Sequence, residues 1–365
     1  MPESRGIHES AIVIDTHADT FARVLDERKD FFSAEGDLAI TLPRMFEGGL
    51  DAQVFALYVA PGLPPGRTIL RTMSMAGEFF QAAAASEGKL VFVRTVKELR
   101  EAVAAGRKCG LLAVEGGHAI EADLNVLRSL RQMGVLSMTL THANSNEWAD
   151  SSQDVRRWGG LNDLGRDVVR EMNRLRMLID VSHTSDETVE DVLEVSEYPV
   201  IASHSCCWSI CKHPRNLTDE LIRKIAKRGG VVHIAYYPPY LDQDAAAVFE
   251  RNWDQLRGSA SPTSAEGQHP NFMADLYARC MEGVPDVSIE KLCDHIDYVV
   301  ALTGPEHVGL GSDWDGANVV VKGLETCVQL PSVTEELSRR GYTEREIRLI
   351  LGENFLRLLE EVVGQ

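Results

Sequence analysis

Short apolar runs alternate with amphipathic segments along nearly the whole chain, and this alternation limits the fold more than any other feature. Eight β-branched runs occupy residues 12–15, 53–59, 110–114, 135–141, 178–181, 200–203, 230–235 and 308–312. Between them lie helix-start patterns at Thr95, Thr184, Thr218 and Thr343. Strands that alternate with helices are usually parallel, so the runs predict an α/β fold, a (β/α)8 TIM barrel. A doubly wound open sheet is the alternative.

The length of 365 residues fits a single barrel domain, residues 1–365, that carries an insertion. Residues 240–286 are too many for an ordinary connection between a strand and a helix. This segment contains Trp253, Pro262, His269 and Pro270. We interpret it as a partly helical insertion after the seventh strand, lying over one end of the barrel as a lid.

Composition argues against several classes of partner. The formal net charge of -18 disfavours binding to nucleic acids or to an anionic membrane surface. No stretch approaches the roughly 18 apolar residues of a membrane-spanning helix, and the first residues lack a signal-peptide pattern. These observations predict a cytoplasmic protein. The cysteine cluster at Cys206, Cys207 and Cys211 is a poor match to a zinc-binding spacing, so we expect most cysteines to be free and buried.

Polar residues with catalytic or metal-binding chemistry follow the predicted strands. Enzymes with this barrel build their sites at the C-terminal ends of the strands. In strand order, the residues at those ends are His17 and Asp19, Tyr58, Glu115, His142, Asp180 and His183, His204, Tyr236 and Tyr237, and Asp313 and Asp315. Four histidines and several carboxylates at the same end of separate strands predict a metal centre.

The ligand types indicate which metal and how many ions to expect. Imidazole and carboxylate ligands without a thiolate suit Zn²⁺, with Mn²⁺, Co²⁺ and Fe²⁺ as alternatives. Five candidate ligands exceed what one tetrahedral ion with an open position needs. We therefore predict two ions, with His17 and Asp19 on the first, His183 and His204 on the second, and Glu115 between them. A water molecule between two such ions would be acidified to hydroxide and could attack a carbonyl group.

Seven short motifs follow one another in a characteristic order. They are D-T-H-A-D at 15–19, E-G-G at 115–117, T-H at 141–142, D-V-S-H at 180–183, A-S-H-S at 202–205, R-N at 215–216 and G-S-D-W-D-G at 311–316. In this order they resemble the renal (membrane) dipeptidase family, peptidase family M19, of the amidohydrolase superfamily. The resemblance covers most of the chain and is weakest over residues 240–286.

The resemblance implies a role for each matching residue. The implied zinc ligands are His17, Asp19, Glu115, His183 and His204, with Glu115 bridging two ions. His142 resembles the residue that polarises the scissile carbonyl, and Arg215 the residue that binds the substrate's C-terminal carboxylate. Asp313 resembles the carboxylate that shuttles protons, whereas Asp315 is expected to be structural or to support the site. Tyr240 is a candidate substrate contact, and a homodimer is implied.

The implied function is that of a zinc-dependent dipeptidase that cleaves L-Xaa-L-Xaa dipeptides by means of a metal-bridging hydroxide. Whether L-Xaa-D-Xaa dipeptides are also cleaved stays open. The alternative is another binuclear amidohydrolase, acting on a cyclic amide, a lactone or a phosphotriester. Many such relatives bridge their ions with a carbamylated Lys from the fourth strand, but here that strand ends at Thr141 and His142. A mononuclear deaminase and a metal-binding regulator are further alternatives.

Overall fold

Parallel strands form a nearly closed barrel in a computed structural model, which describes residues 2–257, 276, 278–317 and 319–364. The described strands are β1 (Ile14–Ala18), β2 (Ala52–Tyr58), β3 (Leu90–Phe92), β4 (Lys108–Glu115), β5 (Val135–Thr139), β6 (Leu178–Asp180), β7 (Ile201–Ala202), β8 (Val231–Ile234) and β9 (Val308–Leu310). Neighbours follow the order β1-β2-β4-β5-β6-β7-β8-β9, and β3 pairs with β4. Asp313 N donates to His17 O and brings the two ends of the sheet together. The predicted (β/α)8 barrel is confirmed.

Helices occupy most of the connections between strands. In the described part of the chain they are α1 (Pro2–Ser10), α2 (Thr20–Glu27), α3 (Leu42–Glu47), α4 (Arg67–Ala85), α5 (Val96–Ala104), α6 (Leu124–Gln132), α7 (Asp163–Arg174), α8 (Asp186–Val195), α9 (Asp219–Lys227), α10 (Pro238–Leu241), α11 (Gln243–Arg257), α12 (Ile289–Thr303), α13 (Pro331–Arg339), α14 (Glu344–Arg348) and α15 (Asn354–Val363). A π-helical segment, Leu349–Glu353, joins α14 to α15.

Threonine caps begin three helices as predicted. The hydroxyls of Thr95, Thr218 and Thr343 accept backbone N–H groups in the first turns of α5, α9 and α14. The predicted cap at Thr184 is wrong by one residue, because Ser185 caps α8. The Thr184 hydroxyl instead donates to the carbonyl oxygen of Val181 at 2.7 Å, so it is not available to the helix.

Two strand predictions need correction. The first strand runs from Ile14 to Ala18 and not over 12–15, so that His17 lies within the strand. Its register against β2 shifts between Asp15 and Ala18, an irregularity that hydrophobic patterning does not report. The short strand β3 was not predicted, because three residues are too few to show a period.

The C-terminal helix closes the barrel at the end opposite the C-terminal strand ends. Phe355 of α15 belongs to an apolar cluster with strand residues that include Ile14 and Val231. The Asn354 side chain donates to the carbonyl oxygen of Val308, the first residue of β9, at 2.9 Å. These contacts anchor the strands where they begin and leave the opposite ends free to carry chemistry.

The described residues of the predicted insertion are partly helical. It begins with α10 and α11, and the Asn216 side chain donates to the carbonyl oxygen of Tyr240 at 2.7 Å. Its predicted features at Pro262, His269 and Pro270 lie outside the described residues, so the lid stays a prediction. Among the described residues, no helix is long and apolar enough to span a membrane.

Gly311 gives a test of the barrel's close packing. A methyl group there would overlap the carbonyl oxygen of Ser203, which lies after β7. We therefore expect Gly311→Ala to lower the free energy of unfolding by about 1–3 kcal/mol, measured by urea denaturation.

Gly77 in α4 is the matched control, since a methyl group there meets no atom within 4 Å. Gly77→Ala should raise the free energy of unfolding by about 0.5–1 kcal/mol, because glycine weakens a helix interior. Equal stability of the two variants would contradict the packing argument.

Candidate metal centre

Five predicted ligands converge at the C-terminal ends of the barrel strands. His17 lies in β1, and Glu115 is the last residue of β4. Asp19, His183 and His204 follow β1, β6 and β7 within three residues. All five residues are buried. The structure therefore brings together the residues that the sequence singled out, and their role as metal ligands stays a prediction.

The Glu115 carboxylate lies at the middle of this cluster. Its Oε1 atom is 3.1 Å from His183 Nε2, 3.4 Å from His17 Nε2 and 3.6 Å from His204 Nε2. Three overlapping groups have ligand atoms within 4.8 Å of one another: His17, Asp19 and Glu115; Glu115, His183 and His204; and His17, His204 and Asp313. Because Glu115 belongs to two of these groups, its position suits a carboxylate shared by two ions.

Unpaired polar atoms show that the cluster suits a cation. His17 Nε2 and Asp19 Oδ1 are buried, and neither atom has a hydrogen-bond partner among the described residues. The Nε2 atoms of His183 and His204 lie only 2.8 Å apart. A buried polar atom without a partner costs about 1–3 kcal/mol, which a bound cation would offset. The nitrogen and oxygen donors suit Zn²⁺ and similar divalent ions.

The pKa shifts leave two of the three clustered imidazoles in the neutral form that binds a metal. Burial lowers the pKa of His183 and of His204 well below its usual value, and the charge of Arg215 contributes. Both rings are therefore neutral near pH 7, and a neutral imidazole has a lone pair for a metal. Burial opposes the charged form of His17 most strongly, but the carboxylates of Glu115 and Asp19 together outweigh it and raise the His17 pKa well above its usual value. A proton on His17 and a metal ion would thus compete for the same carboxylate.

Hydrogen bonds behind the ligands fix their orientation. The Ser203 hydroxyl lies 2.8 Å from Nδ1 of His204, the ring nitrogen next to the backbone. Asp180 Oδ1 accepts the backbone N–H groups of Ser182 and Ser203 at 3.0 and 3.1 Å. Partners of this kind hold ring orientation in metal sites. Ser203 was missed in the sequence, although its place beside His204 in the A-S-H-S motif was a usable signal.

Asp313, the predicted proton carrier, lies at the edge of the cluster. Its Oδ1 is 3.9 Å from His17 Nε2, and its side chain is 18% exposed. Burial and the carboxylates of Asp19 and Glu115 raise the pKa of Asp313 to about 8, although His17 opposes the shift. A cation bound by the cluster would offset part of this increase. A carboxyl group with a pKa near neutrality can both accept and release a proton.

Asp315 has a structural environment. Its carboxylate accepts hydrogen bonds from Thr20 Oγ1 at 2.7 Å and from Ala39 N at 2.8 Å. Arg23 lies 3.4 Å away. These bonds tie the loop after β9 to α2 and to the segment that follows it.

His142 lies between the ligands and the more open side of the site. Its ring lies between those of Tyr58 and His183 in tilted contacts, with centroid distances of 4.6 and 4.3 Å. Its Nε2 atom is 3.8 Å from Glu115 Oε1. Burial, with the nearby charge of Arg215, lowers the pKa of His142 to about 3. A neutral His142 can donate one hydrogen bond to a bound substrate.

Arg215 places a buried positive charge next to the centre. Its Nη2 donates to the carbonyl oxygen of His204 at 3.0 Å, and its Nε is buried without a partner among the described residues. The guanidinium carbon lies 5.2 Å from the ring centroid of Tyr240. The His213 ring contacts the same ring in a tilted arrangement, with a centroid distance of 4.6 Å. Arg215 and Tyr240 thus occupy one wall of the site, where an anionic group could bind.

Other polar and aromatic residues near the strand ends have structural environments. His118 Nε2 lies 2.8 Å from the carbonyl oxygen of Val59, the residue after β2. His233 is buried in β8, with Nδ1 3.3 Å from the Ala202 oxygen. The three clustered cysteines are buried and free, as the sequence predicted. Tyr236 packs edge-on against Trp314 at 5.3 Å.

Comparison with known proteins identifies the family. The family model of membrane dipeptidase, peptidase family M19, matches residues 1–364. The chain belongs to this family. Dipeptidase verJ from Clonostachys rogersoniana is 34% identical over 275 residues, which cover 75% of this chain and 60% of that protein. The match thus spans less than two thirds of the length of that relative.

Solved structures of similar proteins share the barrel of this M19 family member. A metallopeptidase from Rhodobacter sphaeroides, liganded with a phosphinate mimic of the dipeptide L-Ala-D-Ala, has a TM-score of 0.79 and 26% identity over 97% of this chain and 100% of that chain. The probable dipeptidase PvdM from Pseudomonas aeruginosa has a TM-score of 0.87 and 23% identity over 99% of this chain and 98% of that chain. The similarity to PvdM, at 23% sequence identity, supports the fold alone.

Removing Glu115 should weaken metal binding more than removing His17. Glu115→Ala disrupts both groups that share this carboxylate, whereas His17→Ala leaves Glu115, His183 and His204 in place. We expect His17→Ala to retain the ion at the second group and Glu115→Ala to bind both ions poorly. Equilibrium dialysis against Zn²⁺ followed by elemental analysis measures this difference.

His307→Ala is the control, because His307 bonds to the carbonyl oxygen of Gly230 outside the cluster. Its metal content should equal that of the unchanged protein. The same metal loss in the Glu115 and His17 variants would contradict a shared carboxylate.

Proposed function

We propose that this chain is a metal-dependent dipeptidase that hydrolyses the peptide bond of L-Xaa-L-Xaa dipeptides, with two zinc ions as its cofactor. His17 and Asp19 would hold the first ion, His183 and His204 the second, and Glu115 both. Bound divalent ions supply acidified water and polarise a carbonyl group. The ligand distances around Glu115 Oε1, 3.1–3.6 Å, support this assignment.

The observation that carries the proposal is the position of Arg215. Its guanidinium is buried and touches the backbone of His204, and its Nε–H group has no partner in the part of the chain that the structure describes. A planar guanidinium binds a carboxylate through two parallel hydrogen bonds. Arg215 would therefore hold the substrate's C-terminal carboxylate close to the metal centre, which restricts cleavage to short peptides. The ring of Tyr240, beside Arg215, would contact the same end of the substrate.

Asp313 would transfer the proton, and His142 would stabilise the negative charge on the carbonyl oxygen. Asp313 would accept a proton from the attacking water and deliver it to the leaving amine, a task that suits a raised pKa. His142, neutral at pH 7, would donate a hydrogen bond to the carbonyl oxygen as negative charge develops there. Loss of one such donor typically lowers the rate by about 10²–10³.

The relative from Rhodobacter sphaeroides supports a wider substrate class. That protein binds a phosphinate mimic of L-Ala-D-Ala. We therefore propose that dipeptides with a C-terminal D-residue are also cleaved here. Another binuclear amidohydrolase activity, on a cyclic amide or a lactone, is less well supported, because such substrates need not offer a carboxylate to Arg215. The homodimer and the cytoplasmic location stay predictions.

A substrate panel tests the proposed function. The zinc-loaded protein should hydrolyse L,L- and L,D-dipeptides and leave lactones and cyclic amides intact, as followed by release of free amino acids. Hydrolysis of lactones alone would overturn the proposal.

The Asp313→Asn variant tests the proposed proton carrier. It should keep the metal content and lose most of kcat. Unchanged turnover of this variant would remove Asp313 from the reaction.

Arg215 gives a separate test of substrate recognition. Arg215→Ala should raise KM for free dipeptides by about 10-fold or more, since hydrogen bonds to charged groups contribute about 1.5–3 kcal/mol. Dipeptide amides, which lack the carboxylate, should bind equally poorly to the unchanged protein and to Arg215→Ala. Arg223→Ala is the control, because it removes an arginine side chain from the exposed face of α9. It should change KM neither for free dipeptides nor for their amides. Equal effects of Arg215→Ala on acids and amides would contradict this role.

A further inference from the structure

His142 and His183 lie past the last paired residues of β5 and β6, so the hydrogen bonds of the sheet do not position them directly. The β5–β6 pairing ends at Thr139 and Asp180, and each histidine follows three residues later. Their rings nevertheless lie 4.3 Å apart. Since no strand hydrogen bonds join them at this point, another interaction has to fix the spacing between a proposed oxyanion donor and a proposed metal ligand.

The Ser151 hydroxyl makes this connection. Its Oγ atom lies 2.5 Å from the carbonyl oxygen of His142 and 3.2 Å from that of His183. The residue is 3% exposed, so water does not compete for these bonds. One hydroxyl group thus joins the main chains of two site residues that are far apart in sequence.

The position of Ser151 is itself fixed. Its backbone N–H donates to Ser145 Oγ at 3.0 Å. The preceding residue, Asp150, accepts Ser185 N through its carbonyl oxygen at 3.0 Å. The Asp150 carboxylate also accepts backbone N–H groups from the turn that follows, including Gly159 at 2.7 Å. The hydroxyl is therefore held in place before any substrate binds.

The strained backbone conformation of His183 needs hydrogen bonds from neighbouring residues to hold it. His183 has a φ of 70°, in the left-handed region that residues other than glycine rarely adopt. Its carbonyl oxygen accepts both the Ser151 hydroxyl and the backbone N–H of Ser152, the latter at 2.8 Å. Strained conformations persist at functional sites when the surroundings hold them.

We propose that Ser151 is a positioning residue that sets the distance between His142 and His183, and thereby the fit of the site to the transition state. The proposal rests on the proposed dipeptidase function. Ser151 would act through the two backbone carbonyls and not as a metal ligand. A misplacement of about 1 Å can lower a rate about 10²-fold, so loss of this bridge should be visible in turnover.

The test compares Ser151→Ala with Ser152→Ala. Both variants remove one buried hydroxyl from neighbouring residues, but the Ser152 Oγ atom has no hydrogen-bond partner in the described structure. With metal in excess, Ser151→Ala should lower kcat for an L,L-dipeptide about 10- to 100-fold and change KM less than about twofold. Its affinity for Zn²⁺, from chelator competition, should fall about tenfold. Ser152→Ala should match the unchanged protein in all three values.

Two further variants complete the test. Ser151→Thr keeps the hydroxyl and should restore most of kcat. If Ser151→Ala does not fold, Ser151→Cys keeps the side-chain volume with a weak donor and should show the same losses. Equal behaviour of the Ser151 and Ser152 variants in kcat and in zinc affinity would overturn the proposal. If the unchanged protein cleaves no dipeptide, the proposed function fails, and zinc affinity alone decides the role of Ser151.

Discussion

The Glu115 carboxylate, buried among three imidazoles at 3.1–3.6 Å, is the constraint on which the rest of the site depends. Burial of a charged group is costly unless an opposite charge accompanies it. Asp19 and Asp313 add further carboxylates at the same place, and burial, together with repulsion from the Glu115 carboxylate, raises the pKa of both. Divalent cations remove this repulsion. The cluster is therefore organised for ions and not for a stable hydrophobic core.

Such a cluster has to be held by the surrounding barrel. The C-terminal helix anchors the strands at the ends where they begin, through the apolar cluster around Phe355 and the Asn354 hydrogen bonds. At the C-terminal ends of the strands, where the strand pairing stops, hydrogen bonds from serine hydroxyl groups position the residues of the site. Ser203 contacts the ring of His204, and Ser151 joins two backbone carbonyls. Stability and chemistry thus occupy opposite ends of one fold, as is general for this barrel.

The sequence predicted more of the architecture than of the local detail. Eight barrel strands and the caps at Thr95, Thr218 and Thr343 follow from local patterns, since periodicity and capping involve residues close together in the chain. The bounds of β1 and the short β3 were not predictable in this way. They depend on which backbone groups find partners on neighbouring strands, and apolar composition does not specify this register.

The sequence by itself determined the barrel and the residues that reach the C-terminal strand ends, because alternation and short motifs are local properties. The tertiary structure decided how far apart those residues lie and that Glu115 belongs to two groups of candidate ligands. It placed beside them an Arg215 N–H donor that no described residue pairs with. It also identified Ser151, whose bonds to His142 and His183 leave no local pattern. Distances between residues far apart in the chain arise only when the strands come together, and they set the chemistry of the site.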